Sequence, residues 1–246
     1  MFTNSFVKNG DMVALVPVRA GSKGLANKNI RDLNGQPLFF HAVTQGLRTV
    51  GRVLLSTDIA EIAEMSIPEE CSVLWRPKSL ADDDIAMESV IAHAIDEHNL
   101  WGLTIVLLQA TTPLRADQDI LRAIELFRAG NHDLVMAVTR KDKSVLKFGT
   151  LELDRFIPIR KAEDCFTNRQ HLPSVYGPNG AVYVFDADEF AVHSQFPSRR
   201  IGAIEMPYER SIDIDTEEDW HLVQRLRSIE SDDSLVSSVN PNSDFT

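Results

Sequence analysis

An apolar run that turns abruptly into a cationic, glycine-containing loop is the feature that most constrains this chain. Residues 13–18 read VALVPV, and such an uninterrupted run predicts a buried strand. The loop from Arg19 to Arg31 then carries four cations and no acid, although the chain as a whole has a formal charge of -11. Glycines expose backbone amides, and Lys and Arg neutralise phosphate charge. We therefore interpret this loop as a binding site for a nucleoside triphosphate.

The composition describes a globular protein and narrows its partners. The 246 residues suffice for one large α/β domain, or for one domain with an insertion. The excess of acidic residues argues against nucleic acid or an anionic membrane as a partner. Cys71 and Cys165 show no metal-binding spacing and are expected to be free thiols. We find neither a secretory signal nor an apolar stretch of about 18 residues, so a cytoplasmic location is expected.

Apolar runs and amphipathic segments alternate along most of the chain. The predicted strands are 13–18, 52–56, 72–75, 103–108, 133–138, 180–185 and 201–206, and the predicted helices are 38–47, 59–65, 81–98, 117–130 and 216–227. This alternation predicts a parallel sheet with helices on both faces. Residues 140–176 are more polar and predict a β-rich insertion. The folded domain is expected to span 12–228, followed by a disordered tail over 229–246.

Polar side chains recur where the predicted strands end. Ligands of an open parallel sheet bind at the carboxyl ends of its strands. The polar clusters expected there are the loop from Arg19 to Lys28, Thr57-Asp58, Arg76, the segment from Gln109 to Arg115, and Asn179-Gly180. Each cluster also has an ordinary structural interpretation: Gln109 could stabilise a turn, and Arg115 could pair with Asp119 on the next helix.

Two aspartates, Asp213 and Asp215, stand two residues apart near the end of the domain. In an extended segment both carboxylates lie on one face, and Mg²⁺ typically takes one or two protein carboxylates. Alternatively, Asp215 caps the helix that begins near Thr216, and Asp213 is simply exposed. A triphosphate loop with a paired-carboxylate metal site indicates phosphoryl or nucleotidyl transfer. Neither a Walker P-loop nor a GxGxxG dinucleotide motif is present.

Six stretches in the same order resemble one known family. They are PVRAGSKGLANKN, RVLLSTD, RPKSLADD, LLQATTPLR, RQHLPSVYGPNGAVYVF and SIDIDTEED. These resemble the acylneuraminate cytidylyltransferases, which include the CMP-sialic acid synthetases and relatives acting on legionaminic and pseudaminic acids. The resemblance covers residues 13–227, essentially the whole folded chain.

The resemblance implies a Rossmann-like nucleotidyltransferase fold, a three-layer α/β/α sandwich with a small dimerisation insertion at about 140–176. It also implies an enzyme, a homodimer, that transfers CMP from CTP to the anomeric 2-hydroxyl of a nonulosonic 2-keto sugar acid with Mg²⁺, releasing pyrophosphate. By motif match, the implied catalytic residues are Arg19, Lys28, Asp213 and Asp215, of which the two aspartates hold the metal. The implied substrate-binding residues are Ser22, Lys23, Asn29, Arg76, Gln109, Arg169 and Asn179.

Two positions depart from the family pattern. Ala110 replaces a proline, and Gly177 stands in YGPNGA where sialic acid enzymes often carry arginine, which leaves the sugar open. One alternative is a related nucleotidyltransferase that activates a pseudaminic or Kdo-like acid or uses another nucleotide. Another is a non-catalytic homologue that binds sugar nucleotides.

Overall fold

The computed structural model describes residues 12–21, 24–82 and 84–237, with side chains described through residue 228. The strands are β1 (Met12–Pro17), β2 (Asp32–Leu33), β3 (Gln36–Pro37), β4 (Val53–Thr57), β5 (Cys71–Trp75), β6 (Thr104–Leu107), β7 (Leu134–Lys141), β8 (Gly149–Glu152), β9 (Arg155–Pro158), β10 (Val175–Asp186) and β11 (Ile201–Glu205). The α-helices are α1 (Leu38–Thr49), α2 (Met87–His98), α3 (Asp117–Arg128), α4 (Ala187–His193) and α5 (Glu217–Ser237).

Seven strands form the central sheet, in the order β11-β7-β10-β6-β1-β4-β5. Six of them are parallel, as predicted, but β10 runs antiparallel to both of its neighbours, β6 and β7. The parallel arrangement predicted from the alternation is confirmed for these six strands, and the antiparallel direction of β10 was not predicted. The strand also begins at Val175, five residues before its predicted start. Because it runs against the others, its first residues lie at the edge where the parallel strands end.

Helices cover both faces of the sheet, which makes three layers. On one face, Ala14, Val16 and Leu55 of the sheet pack with Phe39 of α1 and Ile120 of α3. On the other face, alternate residues such as Leu15 and Leu54 pack with Ile91 of α2 and Phe190 of α4. The unbroken apolar runs of β1 and β6 follow from this arrangement, because strands covered on both faces need apolar side chains at every position. The predicted α/β/α architecture is confirmed.

Helix α5 closes a third, smaller core beside the cationic loop. Trp220 and Val223 of α5 pack there with Leu25 and Leu33 of the loop region and with Ile214. The helix continues to Ser237, ten residues beyond its predicted end, so residues 229–237 are helical and not a disordered tail. No Gly or Pro interrupts this stretch, and each added residue extends the helical hydrogen bonding. The rest of the predicted tail, 238–246, lies outside the described residues.

Two other predicted helices differ in extent or type. The segment predicted as a helix over 59–65 forms a 3₁₀ turn, Ala60–Glu64. Helix α2 begins at Met87 and not at 81, with a separate 3₁₀ turn at Lys78–Leu80 before it. Aspartates near 82 had suggested an earlier start, and their preference for turns explains the error.

The segment between β7 and β10 has its own small structure. Strands β8 and β9 form an antiparallel hairpin, with 3₁₀ turns at Lys143–Lys147, Ala162–Cys165 and Arg169–His171 around it. The predicted insertion thus contains one β-hairpin, and most of 142–174 lies outside strands. Its role in dimerisation stays a prediction. None of the helices in the described part of the chain is both long and apolar enough to cross a bilayer.

Candidate active site

A cleft of about 200 Å³ lies at the carboxyl ends of β1, β5 and β6. The loop after β1 contributes Arg19, Lys28 and Asn29, and the loop after β6 contributes Gln109 and Thr111; the remaining lining residues are Pro17, Val18, Arg76, Met87 and Ala110. The strand ends thus bring together five of the predicted site residues: Arg19, Lys28, Asn29, Arg76 and Gln109. Ser22 and Lys23 lie outside the described residues.

Lys28 joins the cationic loop to the aspartate segment. Its ammonium donates hydrogen bonds to the Asp215 carboxylate, 2.7 Å from Oδ1, and to the Ile214 carbonyl, also at 2.7 Å. The loop approaches this segment so closely that a Cβ at Gly24 would press into the Asp215 carbonyl oxygen. Glycine at 24 therefore permits the contact that places the two segments side by side.

Asp213 lies on the same segment, and a backbone hydrogen bond of the next residue, Ile214, holds that segment in place. The Ile214 amide donates to the Thr111 carbonyl at 2.8 Å, which ties the segment to the loop after β6. Desolvation raises the pKa of the Asp213 carboxyl, the Asp215 charge adds to the rise, and the Thr111 hydroxyl bond and Lys28 oppose it. Asp213 is exposed by its accessible surface, yet the protein atoms around its carboxyl group limit its hydration.

The Asp213 and Asp215 carboxylates match the donors that Mg²⁺ prefers. Within the described ranges, no set of three or more His, Cys, Asp or Glu side chains is placed to hold a metal ion. Mg²⁺ needs only one or two protein carboxylates when water and phosphate supply the other ligands. The electrostatic coupling between the two acids shows that they are near neighbours, and a divalent cation would relieve their repulsion.

The helix that follows is capped without Asp215. The Thr216 hydroxyl accepts from the Asp219 amide at 3.2 Å, while the Asp219 carboxylate accepts from the Thr216 amide at 2.9 Å. These two bonds form a reciprocal cap at the start of α5. The alternative in which the Asp215 side chain caps this helix was therefore wrong, and its carboxylate is available to Lys28 and the cleft.

Arg76 is a buried cation at the back of the cleft. One guanidinium nitrogen, Nη2, donates to the carbonyls of Val18 (2.9 Å) and Ser56 (2.8 Å), at the ends of β1 and β4. Burial lowers the pKa of Arg76, and Asp58 opposes that shift. Its Nε is buried without a hydrogen-bond partner. The buried guanidinium places a positive charge at the wall of the cleft, which suits an anionic ligand.

The cationic loop is anchored at its base by two further bonds. The Asn29 side chain donates to the Arg19 carbonyl at 2.9 Å, and the Ala20 amide donates to Asp58 at 2.9 Å. Asn29 is buried, so its amide serves the loop as well as the cleft wall. These anchors fix the loop backbone while the Arg19 side chain lines the cleft.

Gln109 and the strand β10 meet at the other wall. Gly180 adopts a positive φ of 75°, and a Cβ there would collide with the Gln109 side-chain oxygen. The neighbouring Asn179 is buried and bonds the Ser211 hydroxyl (2.9 Å) and the Ala181 amide (3.1 Å). Asn179 therefore holds the irregular part of β10 against the segment leading to Asp213, and does not line the cleft.

Arg169 sits on the insertion, where it pairs with Asp142 at 3.0 Å and its side chain is 68% exposed. The structure does not bring it to the Lys28–Asp215 pair. Gly177 pairs with Thr139 of β7, and a Cβ at 177 would lie 3.1 Å from Cε of Lys141. The space an arginine side chain would enter at 177 is thus bordered by another cation.

Two residues of the site were not assigned a role from the sequence. Asp58 holds the cationic loop, and Thr111 supports Asp213 through its hydroxyl. Both lie in clusters that the sequence predicts at strand ends, so their positions could be predicted. Their partners could not be predicted, because each contact joins segments that are distant in the sequence.

Comparison with known proteins decides the family. The sequence profile described as Cytidylyltransferase matches residues 13–233. The chain belongs to the cytidylyltransferase family. This confirms the resemblance drawn from the six motifs.

The curated relatives of this cytidylyltransferase include sialic and legionaminic acid enzymes. It is 29% identical over 219 residues to an N-acylneuraminate cytidylyltransferase of Streptococcus agalactiae serotype V, covering 87% of this chain and 53% of that protein. It is 28% identical over 237 residues to a CMP-N,N'-diacetyllegionaminic acid synthase of Legionella pneumophila, covering 89% of this chain and 97% of that protein. The chain spans about half the length of the streptococcal relative.

Solved structures share the fold of the cytidylyltransferase at low sequence identity. A CMP:2-keto-3-deoxy-manno-octonic acid synthetase complexed with CTP gives a TM-score of 0.67 at 14% identity, covering 90% of this chain and 100% of that chain. A 4-diphosphocytidyl-2C-methyl-D-erythritol synthase gives 0.59 at 13%, covering 89% and 100%. The predicted nucleotidyltransferase sheet is confirmed by these likenesses.

Proposed function

We propose that this protein transfers CMP from CTP to the anomeric C2 hydroxyl of a nonulosonic 2-keto sugar acid and releases pyrophosphate. The observation that carries the proposal is the Lys28–Asp215 ion pair. Lys28 lines the cleft of a cytidylyltransferase sheet, and this ion pair joins it to the segment that carries Asp213 and Asp215. A triphosphate and its metal would need both halves at one place.

The triphosphate is assigned to the loop after β1. Arg19 and Lys28 line the cleft and would neutralise phosphate oxygens, and Ser22 and Lys23 are proposed to join them. Arg76 also lines the cleft and adds positive charge from its back wall. Three cations around one cleft favour a polyphosphate as its ligand.

Asp213 and Asp215 are the residues that would hold Mg²⁺. The ion supplies Lewis-acid stabilisation of the charge that develops on phosphate oxygens. The Lys28 ammonium keeps Asp215 oriented on the cleft side of the aspartate segment. The Thr111 hydroxyl does the same for Asp213.

In the proposed reaction the C2 oxygen of the sugar acid bonds to the α-phosphorus as the bond from that phosphorus to the pyrophosphate oxygen breaks. The hydroxyl proton passes to solvent water in the same step. Arg19 and Lys28 stabilise the negative charge that passes to the departing pyrophosphate. The fixed loop backbone, tied through Asn29 and Asp58, holds the triphosphate for in-line attack.

The sugar is proposed to be a sialic or legionaminic acid. Support comes from the relatives, which are named for N-acylneuraminate or N,N'-diacetyllegionaminic acid. Arg169 on the insertion is the proposed carboxylate ligand of the sugar side. The alternatives are a pseudaminic acid and a Kdo-like acid, and a synthetase for a Kdo-like acid shares the fold.

A homodimer built through the insertion is also proposed. Large apolar side chains are exposed across this small structure: Phe148, Leu151, Leu153, Phe156, Ile159 and Phe166. An exposed apolar surface of this kind favours a protein partner. Light scattering at micromolar concentration should report a dimer. A monomer would contradict this assignment. A cytoplasmic location is proposed because both cysteines are free thiols.

The activity is tested by measuring pyrophosphate release with Mg²⁺, each of the four nucleoside triphosphates, and N-acetylneuraminate, N,N'-diacetyllegionaminate, a pseudaminic acid or Kdo. We expect release only with CTP and one of the nine-carbon acids. Release with UTP or ATP at the same rate would overturn the cytidylyl assignment. CTP binding without turnover on any acid would favour a non-catalytic sugar-nucleotide protein.

A further inference from the structure

Arg115 is a buried, charged residue, and the hydrogen bonds that it donates go to neutral oxygens. Only 2% of its surface is exposed. Nε donates to the Gln45 side-chain oxygen at 2.9 Å, and Nη1 donates to the carbonyls of Gln109 (2.7 Å) and Ala181 (2.8 Å). Nη2 is buried without a partner. The expected pair with Asp119 does not form, since Asp119 bonds Arg210 instead.

Keeping this cation inside the protein is costly. Burial lowers the pKa of Arg115 to about 9, although Asp117 and Asp119 oppose the shift. A buried charge without a contacting carboxylate destabilises a fold unless its hydrogen bonds hold something important together. The place of those bonds therefore indicates what the residue contributes.

The three bonds connect three elements at the wall of the cleft. Gln45 belongs to α1, Gln109 follows β6, and Ala181 lies in the irregular part of β10. A single nitrogen, Nη1, binds both the Gln109 and Ala181 carbonyls, so it fixes the spacing of the two backbones. The Gln45 side-chain amide also donates a hydrogen bond of 2.5 Å to the Arg115 backbone carbonyl. This bond fixes the Gln45 side chain, whose oxygen accepts from Nε and so restrains the guanidinium.

The same spacing sets the position of the Gln109 side chain. That side chain packs over Gly180, where a Cβ would collide with its oxygen. If the backbones at Gln109 and Ala181 separated, the Gln109 side-chain amide would lose its contact with Gly180 and could rotate in the cleft. Gln109 therefore depends on Arg115 for the direction in which its amide faces a ligand.

We propose that Arg115 is a positioning residue that acts through Gln109, by clamping the end of β6 to β10 so that the Gln109 amide is fixed in the cleft. The inference rests on the proposed function of that cleft. Arginine suits the role because its planar fork supplies two separated donors at once, whereas a lysine ammonium is a single point.

The experiment is a double-mutant cycle between Arg115→Lys and Gln109→Ala, with KM and kcat measured separately for CTP and for the sugar acid that the native enzyme uses. In the native background we expect Arg115→Lys to raise either the KM for CTP or the KM for the sugar acid about tenfold, because the substitution misplaces the hydrogen-bonding amide of Gln109. In the Gln109→Ala background the same change should alter that KM less than about twofold. Equal effects in both backgrounds would overturn the proposal.

A second variant protects the test against a folding failure. Gln45→Met removes the acceptor of Nε and leaves the Gln109 and Ala181 bonds, so it should produce a smaller KM change that also vanishes with Gln109→Ala. A change that persists with Gln109→Ala contradicts the proposal. Thr49→Val, on the same helix, removes a hydroxyl bonded to the Gln45 carbonyl and should leave both KM values unchanged.

Failure of the proposed role of Arg115 can be distinguished from failure of the proposed function. If the native protein releases no pyrophosphate from CTP with any of the acids, the function fails before a variant is made. Calorimetric titration of CTP into the same variants then replaces KM, and the cycle is evaluated on Kd. Coupling between the two residues in that titration supports the clamp, and its absence overturns it.

Discussion

The aspartate side of the site and the insertion are held in different ways. On the aspartate side, Lys28 bonds both Asp215 and the Ile214 backbone, and Arg76 is buried against two strand ends. On the insertion side, Arg169 is largely exposed and pairs with Asp142, in the same insertion. Buried, multiply bonded groups are organised before a ligand arrives, whereas exposed cations are mobile and screened by salt. We therefore expect catalytic positioning from the first side and adjustable sugar recognition from the second.

The largest effect is expected from Asp215→Asn. It keeps the shape of the side chain but removes the charge that Lys28 and the metal would share, so turnover should fall about 10²- to 10³-fold. CTP affinity should change much less. Steady-state kinetics and calorimetric CTP titration measure the two effects, with Asp117→Asn, in a surface ion pair with Arg48, as the matched control. Undiminished turnover would remove Asp215 from the catalytic machinery.

Gly24→Ala tests how tightly the aspartate side is assembled. Its Cβ would press into the Asp215 carbonyl, a backbone atom that cannot rotate away. We expect a loss of about 1–3 kcal/mol in the free energy of unfolding, together with reduced turnover. Urea denaturation measures the first quantity. Ala26→Ser, on the exposed surface of the same loop, should have neither effect. A stable and fully active Gly24→Ala would show that the loop and the aspartate segment are not in close contact.

Arg76→Lys compares a buried cation with its conservative substitute. Lysine keeps the charge but cannot reach the Val18 and Ser56 carbonyls and also present a second donor to the cleft. The KM for CTP should rise about tenfold with a smaller change in kcat. Arg48→Lys, at the surface, serves as the control. An unchanged KM would mean that nucleotide binding does not depend on the Arg76 guanidinium.

The smallest effect is expected on the insertion side. Arg169→Gln should leave the melting temperature unchanged, because an exposed ion pair contributes little to stability. The KM for the sugar acid should rise about threefold, and the rise should shrink as salt is added. CTP kinetics should not change. If Arg169→Gln lowered turnover as much as Asp215→Asn, the distinction between the two sides would be wrong.

The sequence predicted best what depends on neighbouring residues. Strands β1 and β6 are continuous apolar runs, and α3 has a clear amphipathic pattern, so their positions were correct. The start of β10 was missed because Gly177 and Pro178 normally argue against a strand. Its direction was missed because a local apolar pattern does not encode the orientation of a strand.

Site residues follow the same division. The cations of the loop after β1 and the polar ends of β4 and β6 were visible as local clusters, and the structure brings several of them together. The partners of Arg115 were not visible, because its bonds to Gln45 and Ala181 span 70 and 66 residues and leave no pattern in the sequence. The predicted pair with Asp119 followed from proximity along the helix, while the folded chain supplied Arg210 from 91 residues away.

The Lys28–Asp215 contact joins residues 187 positions apart in the sequence. Contacts of such separation form late, because a long chain must be closed before they contribute. During synthesis the two halves of the site cannot meet until the aspartate segment has left the ribosome. A growing chain therefore lacks the Lys28–Asp215 contact until nearly the whole domain has been made, and a fragment that ends before Ser211 would carry the cationic loop without Asp213 and Asp215.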